Sequence, residues 1–202
     1  MLANNVMVWL QHGKGTDFAE LYTGAVLFRE NRFELYNYEK QVDILRKIAA
    51  PEPVADERLY LLPPFFAPLL MPFSLFTFHA AYSLQVAFNL GLLMLVLRLL
   101  KHGLGLSAYL SKWLYLAIFG FMPVYLALLQ KQTTFLFVLF LTLHVVEAGK
   151  PRAGLWAGLL TFKPHLAAIP LLLLAWRRSI AGTIYATATI AFLSVVSIAL
   201  VC

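Results

Sequence analysis

Cysteine is almost missing from this 202-residue chain: Cys202 stands alone at its end, which excludes an internal disulfide framework and a cysteine-based metal cluster. Charge is scarce too, at 13% Asp, Glu, Lys and Arg against roughly 25% in soluble domains. Water is therefore not the main solvent of this fold, and a soluble-enzyme reading is excluded. The first residues, MLANNVMVWLQH, have no basic region leading into a long apolar stretch, so no cleaved signal peptide is expected. No pair of histidines and carboxylates has metal-ligand spacing. No cofactor is expected, and the one place for a weakly held divalent cation is beside Asp17.

What is present is apolar sequence, 61% of residues, with a mean hydropathy of +0.76. Arg58 and Arg98 enclose 39 residues without Asp, Glu, Lys or Arg, and the 24 residues from Ser179 to Cys202 contain none either. About 20 apolar residues in helix cross the ~30 Å hydrocarbon layer, so both stretches qualify as spans. The net charge of +6 raises nucleic acid as a partner. The Lys and Arg residues, however, stand singly or in pairs between apolar runs and read as topology signals. The expected partner is the lipid bilayer, and no nucleic acid.

Three domains follow. Residues 1–12 form a truncated first membrane helix, residues 13–64 a water-facing loop, and residues 65–202 a membrane helix bundle. Within the loop, Phe18, Leu21, Ala25 and Phe28 recur at i, i+3, i+7 and i+10, which predicts one stripe of an amphipathic helix on the membrane surface. A second short helix, YEKQVDILRKIAA, ends at Pro51. Blocks between charges predict spans ending at Arg98, across Trp113 to Gln130, across Thr133 to Val146, and from Ile180 to Cys202. The connectors holding Arg98, Lys101 and Lys112, and Lys150 and Arg152, belong in the cytoplasm by the positive-inside rule, with Trp113 and Trp176 as interfacial anchors. Gln130, Lys131 and Gln132 turn on the opposite side.

The block from Ala153 to Trp176 is too short to cross twice at about 1.5 Å per residue. Two short helices, 153–163 and 165–176, meeting at Lys163-Pro164 solve the problem, because proline removes a backbone donor and disfavours helix at the residue before it. Irregular backbone at membrane depth is tolerated only where it is buried in protein or lines a cavity. Lys163 then brings an ammonium partway into the bilayer. With these orientations the loop lies outside the cytoplasm.

Four patches carry a family resemblance: TDFAELYTGAVLFRENRFELYN, YLLPPFFAPLLMPF, LLQKQTTFLFVLFL and KPRAGLWAGLLTFKPHLAAIPLLLLAWRRS, in that order over residues 16 to 179. They resemble, in turn, the Asp-Phe external loop, the Tyr, Pro-Pro pattern, the Gly-Gln turn, and the Ala-Gly, Lys-Pro, Arg-Arg hallmark of the polyprenyl-phosphate-dependent glycosyltransferases of family 87. Lys131 stands where the family has its turn glycine. The resemblance implies an all-α integral membrane protein: a polytopic helical bundle of the C-type glycosyltransferase kind, with an external loop carrying amphipathic surface helices. It implies an inverting hexosyltransferase of the bacterial plasma membrane, which moves a hexose, mannose favoured, from a polyprenyl-phosphate-linked sugar to a glycolipid or polysaccharide acceptor on the extracytoplasmic side. Family members are longer at both ends, so the chain reads as a fragment, and a fragment can lack the acceptor site and be inactive alone.

On that pattern Asp17 matches the catalytic aspartate, as general base toward the acceptor hydroxyl. Lys163 and His165 are the candidates for the donor phosphate, and Gln132 for a phosphate or sugar hydroxyl. Glu20 is the secondary candidate. Structural roles stand beside these: Asp17 as a helix N-cap, Glu20 as a solvated helix charge, Lys163 snorkelling to the interface, and His79 and His144 as hydrogen-bonded interior histidines. Tyr36, Tyr38 and Tyr60 could stack on sugar faces, but tyrosines are common at membrane interfaces and none of the three is singled out. Two other classes remain, a secondary transporter, in which broken helices are at home, and a non-enzymatic membrane assembly subunit.

Overall fold

A computed structural model describes residues 17–50, 59–130 and 132–202. The expected helix over residues 1–12 and the side chain of Lys131 lie outside the described residues. Among the described residues the chain is helical and has no strand. It divides into two compact units: one takes in the sequence up to Phe88 with Leu126–Gln132 and Val196–Cys202, the other Asn89–Tyr125 and Thr133–Val195.

The first unit begins with α1 (Asp17–Asn31), a 3-10 turn (Arg32–Glu34) and α2 (Tyr38–Ala49). Asn37 caps α2, its side chain accepting the Lys40 N–H at 3.3 Å. α2 is amphipathic, burying Gln41, Val42 and Leu45 and exposing Glu39, Lys40, Asp43 and Lys47. α1 goes further than its sequence stripe: Phe18, Leu21 and Ala25 are buried, but so are Thr23, Gly24, Val26 and Leu27. The cover comes from a 3-10 turn (Pro64–Phe66), α3 (Ala67–Leu70) and a second 3-10 turn (Met71–Leu75), the last two of which pack on α1. Pro63, Pro64, Pro68 and Pro72 deny this segment a continuous helix, so the long span opens only with α4 (Phe78–Gly103). That span runs past Arg98, where the charge pattern placed its end.

Gln41 ties the unit together. Its amide donates to the Leu35 carbonyl at 2.9 Å and accepts the Tyr60 N–H at 2.7 Å, all three residues being buried. Leucine at this position leaves a buried donor and a buried acceptor unpaired, each worth about 1–3 kcal/mol. Gln41→Leu should lower the thermal unfolding midpoint by about 5 °C or more. An unchanged midpoint by circular dichroism would deny the clamp its role.

In the second unit, α4 ends in a Schellman cap: Gly105 has φ +61°, its N–H donates to the His102 carbonyl and the Leu106 N–H to the Lys101 carbonyl. α5 (Ala108–Phe119) and α6 (Met122–Gln130) correct the single span expected over Trp113 to Gln130, because they bend by 60° at Gly120–Phe121. Pro123, in the first turn of α6, has no N–H with which to continue α5. α7 (Thr134–Val146) also differs from a span, since its 13 residues rise about 20 Å, short of ~30 Å. α8 (Ala153–Leu159) runs into a 3-10 turn (Leu160–Phe162), and α9 (Pro164–Trp176) opens after a break at Lys163, whose φ of −124° and ψ of 78° are not helical. α10 (Ile180–Val201) is the second long apolar helix.

α8 and α10 meet backbone to backbone. A Cβ added to Gly154 would fall 1.8 Å from the Gly182 carbonyl oxygen, and one added to Gly158 2.9 Å from the Ala186 carbonyl oxygen. Gly154 and Gly158 thus form the small-xxx-small pattern that lets membrane helices approach closely. His144 is interior, 4% exposed, with Nδ1 2.9 Å from the Ala153 carbonyl. His79 is not interior; it lies exposed near the start of α4, its ring 5.8 Å from that of Phe78. Only 28% of the most apolar window of α4 and 6% of that of α10 are buried, so apolar surroundings must cover the rest. The protein is an integral membrane protein.

Candidate active site

Asp17 opens α1, where a carboxylate interacts favourably with the helix dipole. The residue after it fixes that end of the helix. Phe18 is fully buried, with the rings of Phe78, Tyr82, Tyr22 and Phe73 at 5.7, 5.9, 6.1 and 6.2 Å. Farther along, the Tyr22 hydroxyl donates to the Phe76 carbonyl at 2.8 Å and the Arg29 guanidinium to the Ser74 carbonyl. α1 is thereby strapped to the segment before α4.

Gln132 follows the end of α6, its N–H donating to the Ala127 carbonyl at 3.3 Å. Its side-chain nitrogen donates to Asp17 Oδ2 at 2.5 Å and to Gln130 Oε1 at 2.7 Å. A primary amide has two protons, and both are engaged. Gln132 therefore orients the Asp17 carboxylate through one of them. Gln130, seen in the sequence only as part of a polar turn, is the residue that sequence reasoning missed.

Glu20 is half-buried one turn after Asp17, and its charge reaches Tyr60. Burial above all, with Tyr36 and Glu20, pushes the Tyr60 phenol far up; burial pushes Tyr36 up to about 12. Both are neutral donors near pH 7, to the Pro63 carbonyl at 3.3 Å and the Leu62 carbonyl at 2.7 Å. Tyr60 is fully buried and presents no face to a sugar; it packs on Gly24, where an added Cβ would lie 2.3 Å from its ring. Tyr36 and Tyr38 remain 45% and 53% exposed.

The other candidates belong to the second unit. Lys163 is half-buried at the break before α9, its Nζ donating to Thr134 Oγ1 at 3.4 Å. Its carbonyl accepts the Leu166 and Ala167 N–H groups, and Pro164 takes the first helical position, where its missing donor costs nothing. Phe162, buried against Phe137 and Phe140 with ring centroids 6.1 and 6.4 Å away, anchors the break. His165 is exposed. Among the described residues, no three His, Cys, Asp or Glu side chains come together as a metal-holding set.

Residues 60–202 match the family model described as glycosyltransferase family 87. Gln132, Lys163 and His165 lie inside the match; Asp17 and Glu20 precede it. No curated protein and no solved structure matches the chain.

Proposed function

Because the chain belongs to glycosyltransferase family 87, whose members are membrane glycosyltransferases, we propose that it transfers a hexose, mannose by preference, from a polyprenyl phosphate to a glycolipid or polysaccharide acceptor. On this reading the loop from Gly13 to Pro64 faces the extracytoplasmic side of a bacterial plasma membrane. The observation that carries it is the Asp17 carboxylate held by the Gln132 amide. In the proposed reaction the acceptor oxygen attacks the anomeric carbon while Asp17 takes its proton. The bond from that carbon to the phosphate oxygen breaks, its electron pair leaves with the polyprenyl phosphate, and the configuration inverts. Gln132 acts through Asp17 as a positioning residue.

The leaving phosphate needs positive partners, and Lys163 and His165 at the opening of α9 supply an ammonium, an imidazole and the N-terminus of a 13-residue helix. The family assignment favours this reading over secondary transport, which rested on the same helix break. The test is transfer of labelled mannose by the purified protein from polyprenyl-phosphate-mannose and, separately, from a nucleotide-linked mannose. Product should form from the lipid donor alone; product from the nucleotide donor alone would overturn the assignment. Lys163→Gln should raise the KM for the lipid donor roughly 10-fold or more, the worth of a hydrogen bond to a charged group. An unchanged KM would return Lys163 to a structural role beside Thr134.

A further inference from the structure

The second unit holds a basic cleft that the proposed transfer reaction does not use. α7 ends at Val146, and Gly149, with φ +93°, turns the chain toward α8. α9 ends at Trp176 in a Schellman cap: the Arg178 N–H donates to the Ala175 carbonyl at 3.0 Å and the Ser179 N–H to the Leu174 carbonyl at 3.2 Å. The left-handed position of that cap is filled by Arg178, at φ +51°, where glycine is usual; strain of this kind persists where the surroundings over-determine it. Between the two corners is a cleft of about 240 Å³, with His144, Lys150, Arg177 and Ser179 as its polar lining and Leu173 and Leu174 as an apolar wall.

Its chemistry is one-sided. Among the described residues, two cations line the cleft and no carboxylate does. Glu147, three residues before Lys150, is turned elsewhere, to Arg152 at 2.8 Å and to the Trp156 indole N–H at 2.8 Å. His144 is a built element of the lining: it is 4% exposed and its ring is fixed through Nδ1 on the Ala153 carbonyl, leaving Nε2 as its second polar atom. Ser179 Oγ accepts the Gly182 N–H at 3.3 Å, so its own proton remains for a ligand. Trp176, 86% exposed beside Arg177, is the kind of side chain that settles at the level of lipid headgroups.

We propose that this cleft binds a phosphate ester, with Lys150 and Arg177 as charge partners, His144 and Ser179 as hydrogen-bonding partners, and Leu173 and Leu174 against the apolar part of the ligand. An anionic phospholipid headgroup and a water-borne phosphate share this chemistry; the exposed tryptophan and the leucine wall favour the lipid. The site is separate from Lys163, which opens the 13-residue helix that Arg177 closes about 20 Å away.

The test is calorimetric titration of the purified protein in a neutral detergent with short-chain phosphatidylglycerol, the matching phosphatidylcholine, and inorganic phosphate. Binding of phosphatidylglycerol in preference to phosphatidylcholine is expected, weakened about 5-fold by Lys150→Gln or Arg177→Gln and roughly 25-fold by both together, as expected for two basic side chains at an anionic headgroup. Arg177→Lys, which keeps the charge, should retain most of the binding and shows that the fold survives change at this position. Inorganic phosphate competing at the same strength would assign the cleft to a soluble phosphate ester. Equal binding of the two lipids without phosphate binding, or an equal loss in the Lys101→Gln, Lys112→Gln control, would overturn the proposal.

Discussion

Asp17→Asn should lower kcat for sugar transfer by about 10²–10⁴-fold, the usual worth of a positioned general base. The substitution is informative because it changes little else. The carbonyl oxygen of the introduced amide can still accept the Gln132 amide proton, and the packing of Phe18 that holds this end of α1 is untouched. In the proposed mechanism, what disappears is the ability to take the acceptor's proton. Folded yield and donor KM should therefore stay near wild type while turnover collapses. The comparison is Glu20→Gln, one turn away, which should retain most of the activity. Turnover within about 3-fold of wild type for Asp17→Asn would leave the aspartate as a helix cap and transfer the question to Glu20.

Gly154→Ala should destabilise the protein by about 3 kcal/mol and lower its unfolding midpoint by roughly 6–12 °C. The added methyl would lie 1.8 Å from a backbone oxygen of α10, which no rotamer change can move aside, so the helices must part. Gly91→Ala is the control, because a Cβ there meets nothing within 4 Å and alanine is the better helix former; it should be neutral or slightly stabilising. Thermal unfolding followed by circular dichroism separates the two. Equal midpoints would mean that the α8–α10 contact contributes nothing to stability.

These two residues also show what the sequence disclosed. Membrane residence was legible in the long uncharged runs, and the break at Lys163–Pro164 was legible because a missing N–H acts locally. The bend at Gly120–Phe121 was equally local, with Pro123 in plain view, yet counting apolar residues between charges passes over it. α7 was read as a span for the same reason. Burial around α1 was not legible, since its cover arrives from residues 64–75 and an amphipathic pattern reports only one face. Asp17 was legible as a candidate through its motif, but its partner was not, because Gln132 stands 115 residues away and nothing in either motif names the other. The Ala-Gly pair in the fourth patch gains a physical meaning: the Ala153 carbonyl holds His144, and Gly154 admits the backbone of α10.

That close approach bears on the depth at which a short helix sits. α7, α8 and α9 have 13, 7 and 13 residues, none long enough to settle across the hydrocarbon layer by itself. The first helix after them that is long enough is α10, and the glycine face of α8 has its partner there. Through that contact α10 fixes the depth of α8, which at 7 residues has no hydrocarbon length of its own with which to set it.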